Sequence, residues 1–146
     1  MQKIKRMKLV IELAQKEENN AASQLGEIQN QLHTEQQRLQ DLNDYYNSYK
    51  QNANAPTGSV SVQTIQNARY FLQQLDTAKQ AQTHQIAHVT QQKDQQQKHL
   101  QEKYMRRRML ESLLEKIKQD EQAILDKKEQ ALLDEWTSVK FNAAHK

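Results

Sequence analysis

Cysteine is absent from this chain of 146 residues, proline occurs once and glycine twice. Without cysteine there is no disulfide framework and no thiolate metal site, and the composition fits a reducing compartment. Gly and Pro punctuate folds, so their scarcity leaves few turns and therefore few, long elements. Aromatic residues make up 5% of the chain and hydrophobic residues 36%, and mean hydropathy is -1.07. That supply is too thin for a thick globular core, but a narrow seam between helices can use it. The basic start, Met1 to Arg6, lacks the apolar run of a signal peptide, because Lys8, Glu12, Lys16 and Glu17 soon follow. No membrane span is legible either. The chain reads as cytoplasmic.

One sign of charge does not dominate. The 21 basic residues are offset by 18 acidic ones, for a net charge of +3, and both signs are mixed as on solvated helix faces. Two basic clusters stand out, the N-terminus and Lys103 with Arg106, Arg107 and Arg108. No aromatic platform or groove-reading module accompanies them, so no nucleic-acid partner is expected. They read as charged surface with some preference for acidic partners.

Ala, Leu, Lys, Glu and Gln dominate, the composition of long helices. From Ile4 to Tyr49 they keep an unbroken heptad. Its first core position falls at Ile4, Ile11, Glu18, Leu25, Leu32, Leu39 and Tyr46, and its second at Met7, Ala14, Ala21, Ile28, Glu35, Leu42 and Tyr49. A seven-residue repeat keeps one seam facing a partner helix and imposes a left-handed supercoil. The interruption, residues 51–61, holds the sole Pro, Gly58 and several Asn and Ser, so it is a loop. Ser59 or Ser61 can cap the helix that follows. Gly26, the other glycine, is read as facing outward, where it costs about 1 kcal/mol.

Helix two follows without a breaker, its seam opening at Ile65, Ala68, Leu72 and Leu75 and continuing at Ile86, Val89 and Leu100. Lys79, Gln82, Lys93, Gln96 and Lys103 occupy core positions between them, which makes this stretch a weak seam. The expected fold is all-α: a two-helix antiparallel left-handed coiled coil with a longer, overhanging second helix. It is expected as one elongated domain, 1–146, with helix one at about 4–50, the loop at about 51–61 and helix two at about 62–140. At 1.5 Å per residue the helices span roughly 70 and 115 Å, and folding back pairs residues whose numbers sum to about 112. On that pairing, the chain beyond Arg108 has no partner from helix one.

Two regions carry more apolar surface than the seam needs. The expected overhang holds Met109, Leu110, Leu113, Leu114, Ile117, Ile124, Leu125, Leu132, Trp136, Val139 and Phe141. Their spacing puts them on one helix face, which reads as a partner-binding or self-associating surface. A helix end that frays or turns back on the bundle is the alternative. Beside the loop, Tyr45, Tyr70 and Phe71 add to Leu42, Tyr49, Leu72 and Leu75 as interface anchors, local core packing, or both. His84 and His88 stand one turn apart, but no third ligand is identifiable and no metal is expected. No Gly-rich phosphate loop and no nucleophile motif is present. The carboxylates are expected to face water. No catalytic residue, cofactor or enzyme activity is predicted.

These features resemble the flagellar type III export protein FliJ family across nearly the whole chain. The likeness is carried by Leu13-Ala14-Gln15-Lys16-Glu17, by Ala22-Ser23-Gln24-Leu25-Gly26-Glu27 and by the run from Leu39 to Tyr49. After a loop of similar length it continues through Phe71-Leu72-Gln73-Gln74-Leu75 and Ala78, then Lys127-Lys128-Glu129 and Leu133-Asp134-Glu135. The resemblance implies a soluble rod, like the central stalk of a rotary ATPase, in the flagellar protein export apparatus. Such a protein binds the hexameric export ATPase and its regulator, promotes assembly and turnover of the ring, and assists export chaperones. It also binds the cytoplasmic domain of the export gate FlhA. Its only membrane association is peripheral to the inner membrane, through the export apparatus at the flagellar base. The family's gate-binding surface corresponds to Leu42, Tyr45, Tyr49, Phe71, Leu75 and Ala78, with departures at Arg38 (for Gln) and Gln82 (for His). From the apolar surplus, the ATPase contact is expected at the open end, at Ile4, Met7, Ile11, Leu110, Leu114, Ile117, Ile124 and Trp136. Alternatives are the stalk protein of a virulence type III secretion system and a generic coiled-coil scaffold or holdase.

Overall fold

The computed structural model describes residues 2–53 and 61–144. It contains two helices and no strand among those residues: α1 (Gln2–Ala53) and α2 (Val62–Ala144). Most of the expected loop, including Pro56, Gly58 and Ser59, lies outside the described residues. The helix start beyond it is capped by Ser61, whose Oγ accepts the Thr64 backbone N–H at 3.2 Å while its carbonyl accepts from Ile65 N at 3.2 Å. The first of these satisfies one of the donors a helix start leaves open, and the second is the helix's first backbone bond between residues four apart. Exposed faces supply further support through side-chain pairs four residues apart. Examples are Gln37 with Asp41 (3.2 Å), Gln40 with Asp44 (3.0 Å) and Gln130 with Asp134 (3.2 Å), each worth about 0.2–0.5 kcal/mol.

The chain divides into two compact units, Asn20–Leu100 and Met1–Asn19 with Gln101–Lys146. In the first, α1 and α2 run antiparallel: Tyr49 meets Phe71, Glu35 meets Gln82 and Ala21 meets Gln96. Every expected heptad position of α1 in this unit is buried or half-buried, and α2 answers at steps of three and four from Ala68 to Leu100. Ile65, expected to open that seam, is 44% exposed; it lies toward the polar end of α1, where Gln51 and Asn52 are also exposed. Among the described residues Val89 is the one side chain fully out of water. Val89→Ala removes two methyl groups from that site. It is expected to cost about 2 kcal/mol of unfolding free energy, measurable by urea denaturation followed by circular dichroism.

Polar residues at core positions are paired across the seam. Glu35 is only 6% exposed, which corrects the expectation that the carboxylates face water. Gln82 Nε2 donates to the Glu35 carbonyl at 2.9 Å and to its carboxylate, and Arg38 Nη1 donates to Oε1 at 3.2 Å. A buried acid needs such donors to offset its lost hydration. Ala21 is small enough for Gln96 to reach its carbonyl at 3.1 Å, and the same amide donates to Gln24 at 3.2 Å. Gly26 is half-buried rather than outward, but a Cβ built there would meet nothing within 4 Å. Gly26→Ala should therefore raise stability by about 1 kcal/mol, a gain readable as a higher urea midpoint.

The second unit contains both ends of the pairing. Ala14 and Ile117 are buried, and Ile4, Met7, Ile11, Glu18, Leu110 and Leu114 are half-buried. With only two elements present, each helix covers the other. Arg107 occupies a core position, donating to Glu18 and to Glu111 at 2.7 Å. Its pKa is raised above the ordinary value, chiefly by the Glu18 hydrogen bond and then by Glu111, so it stays charged. Lys103 pairs with Glu17 at 3.1 Å and Arg108 with Glu111 at 3.6 Å, so the basic cluster is largely spent on neighbouring acids. The expected stagger needs correction. Gln82 and Gln96 reach α1 residues about five positions further along α2 than expected, and the continuation of α1 to Ala53 rather than residue 50 accounts for three of them. Leu110, Leu114 and Ile117 are consequently covered, and the exposed overhang begins after Glu121.

Candidate functional site

Surface in excess of the seam occurs in both units. In the unit Asn20–Leu100 it is aromatic. Phe71 lies edge-on to Tyr45, centroids 6.0 Å apart at 65°, and tilted against Tyr49 at 4.6 Å and 48°. Lys79 Nζ sits 4.4 Å above the Tyr46 ring. Heptad spacing directs Tyr46 and Tyr49 inward, while Tyr45, one residue before Tyr46, is turned about 100° away. It is 57% exposed, and Tyr70 is 65% exposed. Leu75 is buried and Ala78 half-buried beneath the ring cluster's neighbourhood on α2. Of the six expected gate-binding residues, Phe71 contacts both Tyr45 and Tyr49, and Leu42 adjoins Tyr45 on α1. Leu75 and Ala78 lie within the seam.

A shallow groove next to these rings is lined by Arg38, Asp41, Leu42, Tyr45 and Gln82. Both departures from the family pattern, Arg38 and Gln82, therefore border the same groove as Leu42 and Tyr45. Arg38 and Asp41 are the charges there, the Arg38 side chain 64% exposed beside the buried Glu35. Gln82 has its amide committed to Glu35. The arrangement offers an apolar surface at Leu42 and Tyr45, with a cation and an acid at its edge.

In the other unit the expected ATPase-binding residues separate. Ile4, Met7, Ile11, Leu110, Leu114 and Ile117 cover one another in the seam, while Ile124 and Trp136 are 55% and 62% exposed. Exposed apolar residues missing from that expected set are Leu125, Leu132, Leu133 and Val139 on α2, and Leu9, Val10 and Leu13 on α1. Val10 and Leu113 hold equivalent flanking positions of the heptad, which face each other in an antiparallel pair. Leu9 and Leu13 on α1, and Met105 and Met109 on α2, extend that side. The signal was present in sequence: three apolar residues within two turns of α1 that the seam does not use.

Among the described residues no His, Cys, Asp or Glu cluster could hold a metal. His88 instead contacts Gln92 at 3.3 Å. No helix among them is long and apolar enough to cross a membrane. Comparison with curated proteins and with solved structures gave no match. The family model described as Flagellar FliJ protein matches residues 2–146. The antiparallel helix pair, its aromatic cluster and that match over essentially the whole chain agree: the chain belongs to the FliJ family and is a component of the flagellar export apparatus.

Proposed function

We propose that this chain binds the hexameric ATPase of the export apparatus through the exposed apolar surfaces of α1's start and α2's end, and promotes ring assembly and turnover. The aromatic surface of the unit Asn20–Leu100 then engages the export gate, and export chaperones are handled from the same complex. The observation that carries the reading is the apolar surface beyond the needs of the seam, such as Leu132 at 65% and Trp136 at 62% exposure. Contiguous patches of this kind mark protein interaction sites, and family membership supplies the machinery in which they would act.

A helix pair is asymmetric about its axis, whereas a ring of identical subunits is symmetric. Each subunit therefore meets a different side of the pair, and the contact can favour one conformation in one subunit at a time. No chemistry is required of the pair. The test is ATP hydrolysis by the purified export ATPase, with and without this protein, over a range of ATPase concentrations. The expected result is a several-fold rise that is largest where the ring is incompletely assembled. An unchanged rate at saturating protein would sink the reading.

A further inference from the structure

The seam of the unit Asn20–Leu100 is poorly matched in the register it holds. Gln82 bonds to Glu35 and borders Leu42, which seats it opposite Leu39. Gln96, bonded to Ala21 and Gln24, is seated opposite Leu25. Counted along the heptads from these two, Ile28 faces Lys93, Glu35 faces Ile86 and Leu42 faces Lys79. Each of these layers sets an apolar residue against a polar one. Ala21 with Leu100, Leu32 with Val89, Tyr46 with Leu75 and Tyr49 with Leu72 make up the rest of this stretch.

A slip of one heptad, about 10 Å, removes most of the mismatch. With α2 moved toward the start of α1, Leu25 faces Val89, Ile28 faces Ile86, Leu39 faces Leu75 and Leu42 faces Leu72. Tyr49 then covers Ile65, which is exposed at present. Glu35 exchanges Gln82 for Lys79, which gives up its place over the Tyr46 ring, so the buried acid faces a donor in both settings. Leu32 with Gln82 and Ala21 with Lys93 are the mixed layers that remain. Between Ala53 and Val62 the chain is long enough to serve either register.

The other unit demands the opposite. Ile4 with Ile117, Met7 with Leu114 and Ile11 with Leu110 are matched now, while Lys103 and Arg107 hold Glu17 and Glu18. After the slip Met7 faces Arg107, Ile11 faces Lys103, and Leu114 and Ile117 lie past the start of α1. Both helices are continuous, so neither register satisfies the whole seam. A conflict of this kind leaves two packings close in free energy.

We propose that the helix pair is bistable, with the register described here as its main state and the register one heptad away as its minor one. The slip carries Phe71 from Tyr45 and Tyr49 to the residues a heptad earlier, Arg38 and Leu42, and uncovers Leu114 and Ile117. A partner that holds the rings in one setting thereby favours the apolar surface that goes with it. That coupling rests on the functional reading above, whereas the two registers need no partner.

The chain has no cysteine, which permits a direct test on the full-length protein alone. Ile28→Cys is combined with Lys93→Cys, Ile86→Cys or Leu100→Cys, which report the main register, the minor one and a slip in the opposite direction. A disulfide needs Cα atoms within about 7 Å, less than the step of about 10 Å between registers. Oxidation is followed as a crosslinked species of monomer mass. The Ile86 pair should close about 10- to 1000-fold more slowly than the Lys93 pair, the inverse of a minor population of ~0.1–10%. It should still close at least fivefold faster than the Leu100 pair. Leu114→Gln weakens the main register alone and should raise the rate of the Ile86 pair, relative to the Leu100 pair, at least threefold. Lys79→Leu gains Leu42 in the main register and meets Glu35 in the minor one, so it should lower that ratio at least fivefold. General loosening of the helices speeds both pairs alike and leaves the ratio unchanged. An Ile86 pair no faster than the Leu100 pair, or a ratio indifferent to both seam variants, would overturn the proposal. ATPase stimulation is not read in this experiment, so the proposed function stands or falls separately.

Discussion

Deletion of residues 122–146 is expected to abolish stimulation of the export ATPase while leaving the rest of the chain folded. The described residues in this stretch are all exposed, so their removal strips no side chain of cover in the remaining seam. Ile117 stays buried and Arg107 keeps Glu18 and Glu111. What is lost includes Ile124, Leu125, Leu132, Leu133, Trp136 and Val139, all more than half exposed. A shorter protein ending at Arg108 would be a poorer test. It would also remove Leu110, Leu114 and Ile117 and leave Ile4, Met7 and Ile11 facing water, so lost activity would be confounded with a frayed helix pair. The truncated protein should retain its cooperative melt, with a midpoint within a few degrees of the full chain. If it still stimulates hydrolysis to within about twofold of the full chain, the ATPase contact lies elsewhere, and the side of α1 carrying Leu9 and Leu13 becomes the candidate.

Tyr45→Ala combined with Phe71→Ala is expected to weaken binding to the export gate's cytoplasmic domain by about 30-fold or more. Aromatic residues at the centre of an interface cost about 2 kcal/mol or more on truncation, and 1.4 kcal/mol is a factor of ten. The pair is chosen because both rings are partly exposed, at 57% and 36%, and touch each other. Leu75, buried on the next turn of α2, and Tyr49, at its own heptad position, continue to hold the helices together. Helical content should stay as it is, with a modest fall in melting temperature from the lost ring contacts. Isothermal calorimetry against the purified gate domain is the decisive measurement, and an affinity within threefold of the parent would exclude these rings as the anchor. Arg38→Gln offers a finer probe: it removes the charge at the groove's edge while leaving an amide that can donate to Glu35, and it should change the salt dependence of binding more than its strength at high salt.

Much of the fold is legible in the residues themselves. All fourteen heptad positions expected on α1 are buried or half-buried, because an apolar period of 3.5 admits one inward face and no other. The stagger between the helices is not legible in the same way. It is set by where α1 stops and how the chain crosses residues 54–60, and a few residues of error there move every contact by the same amount. The burial of Glu35 is visible only as an exception in the repeat. Its partner, Gln82, is identifiable once the stagger is known. Among the surfaces, the rings at Tyr45 and Phe71 declare themselves as surplus. Met109 already belongs to the apolar surplus, and Leu9, Val10 and Leu13 stand out as three neighbours that the α1 heptad leaves unused; Met105 does not declare itself, since an isolated apolar residue outside a seam is ordinary on any protein.

The antiparallel arrangement also gives folding a direction. Contacts lengthen steadily in sequence: 47 residues separate Glu35 from Gln82, 75 separate Ala21 from Gln96, and 89 separate Glu18 from Arg107. Loop closure costs about 0.6 kcal/mol more for each doubling of length, a small penalty that zippering avoids if the nearest contacts close first. The cluster of Tyr45, Tyr49 and Phe71 is therefore placed to nucleate, and the first turns of α1 close last. During synthesis the apolar face of Ile4, Met7 and Ile11 must wait until Ile117 has been made. That interval, rather than the finished structure, is when this end of the chain is most exposed to unwanted partners.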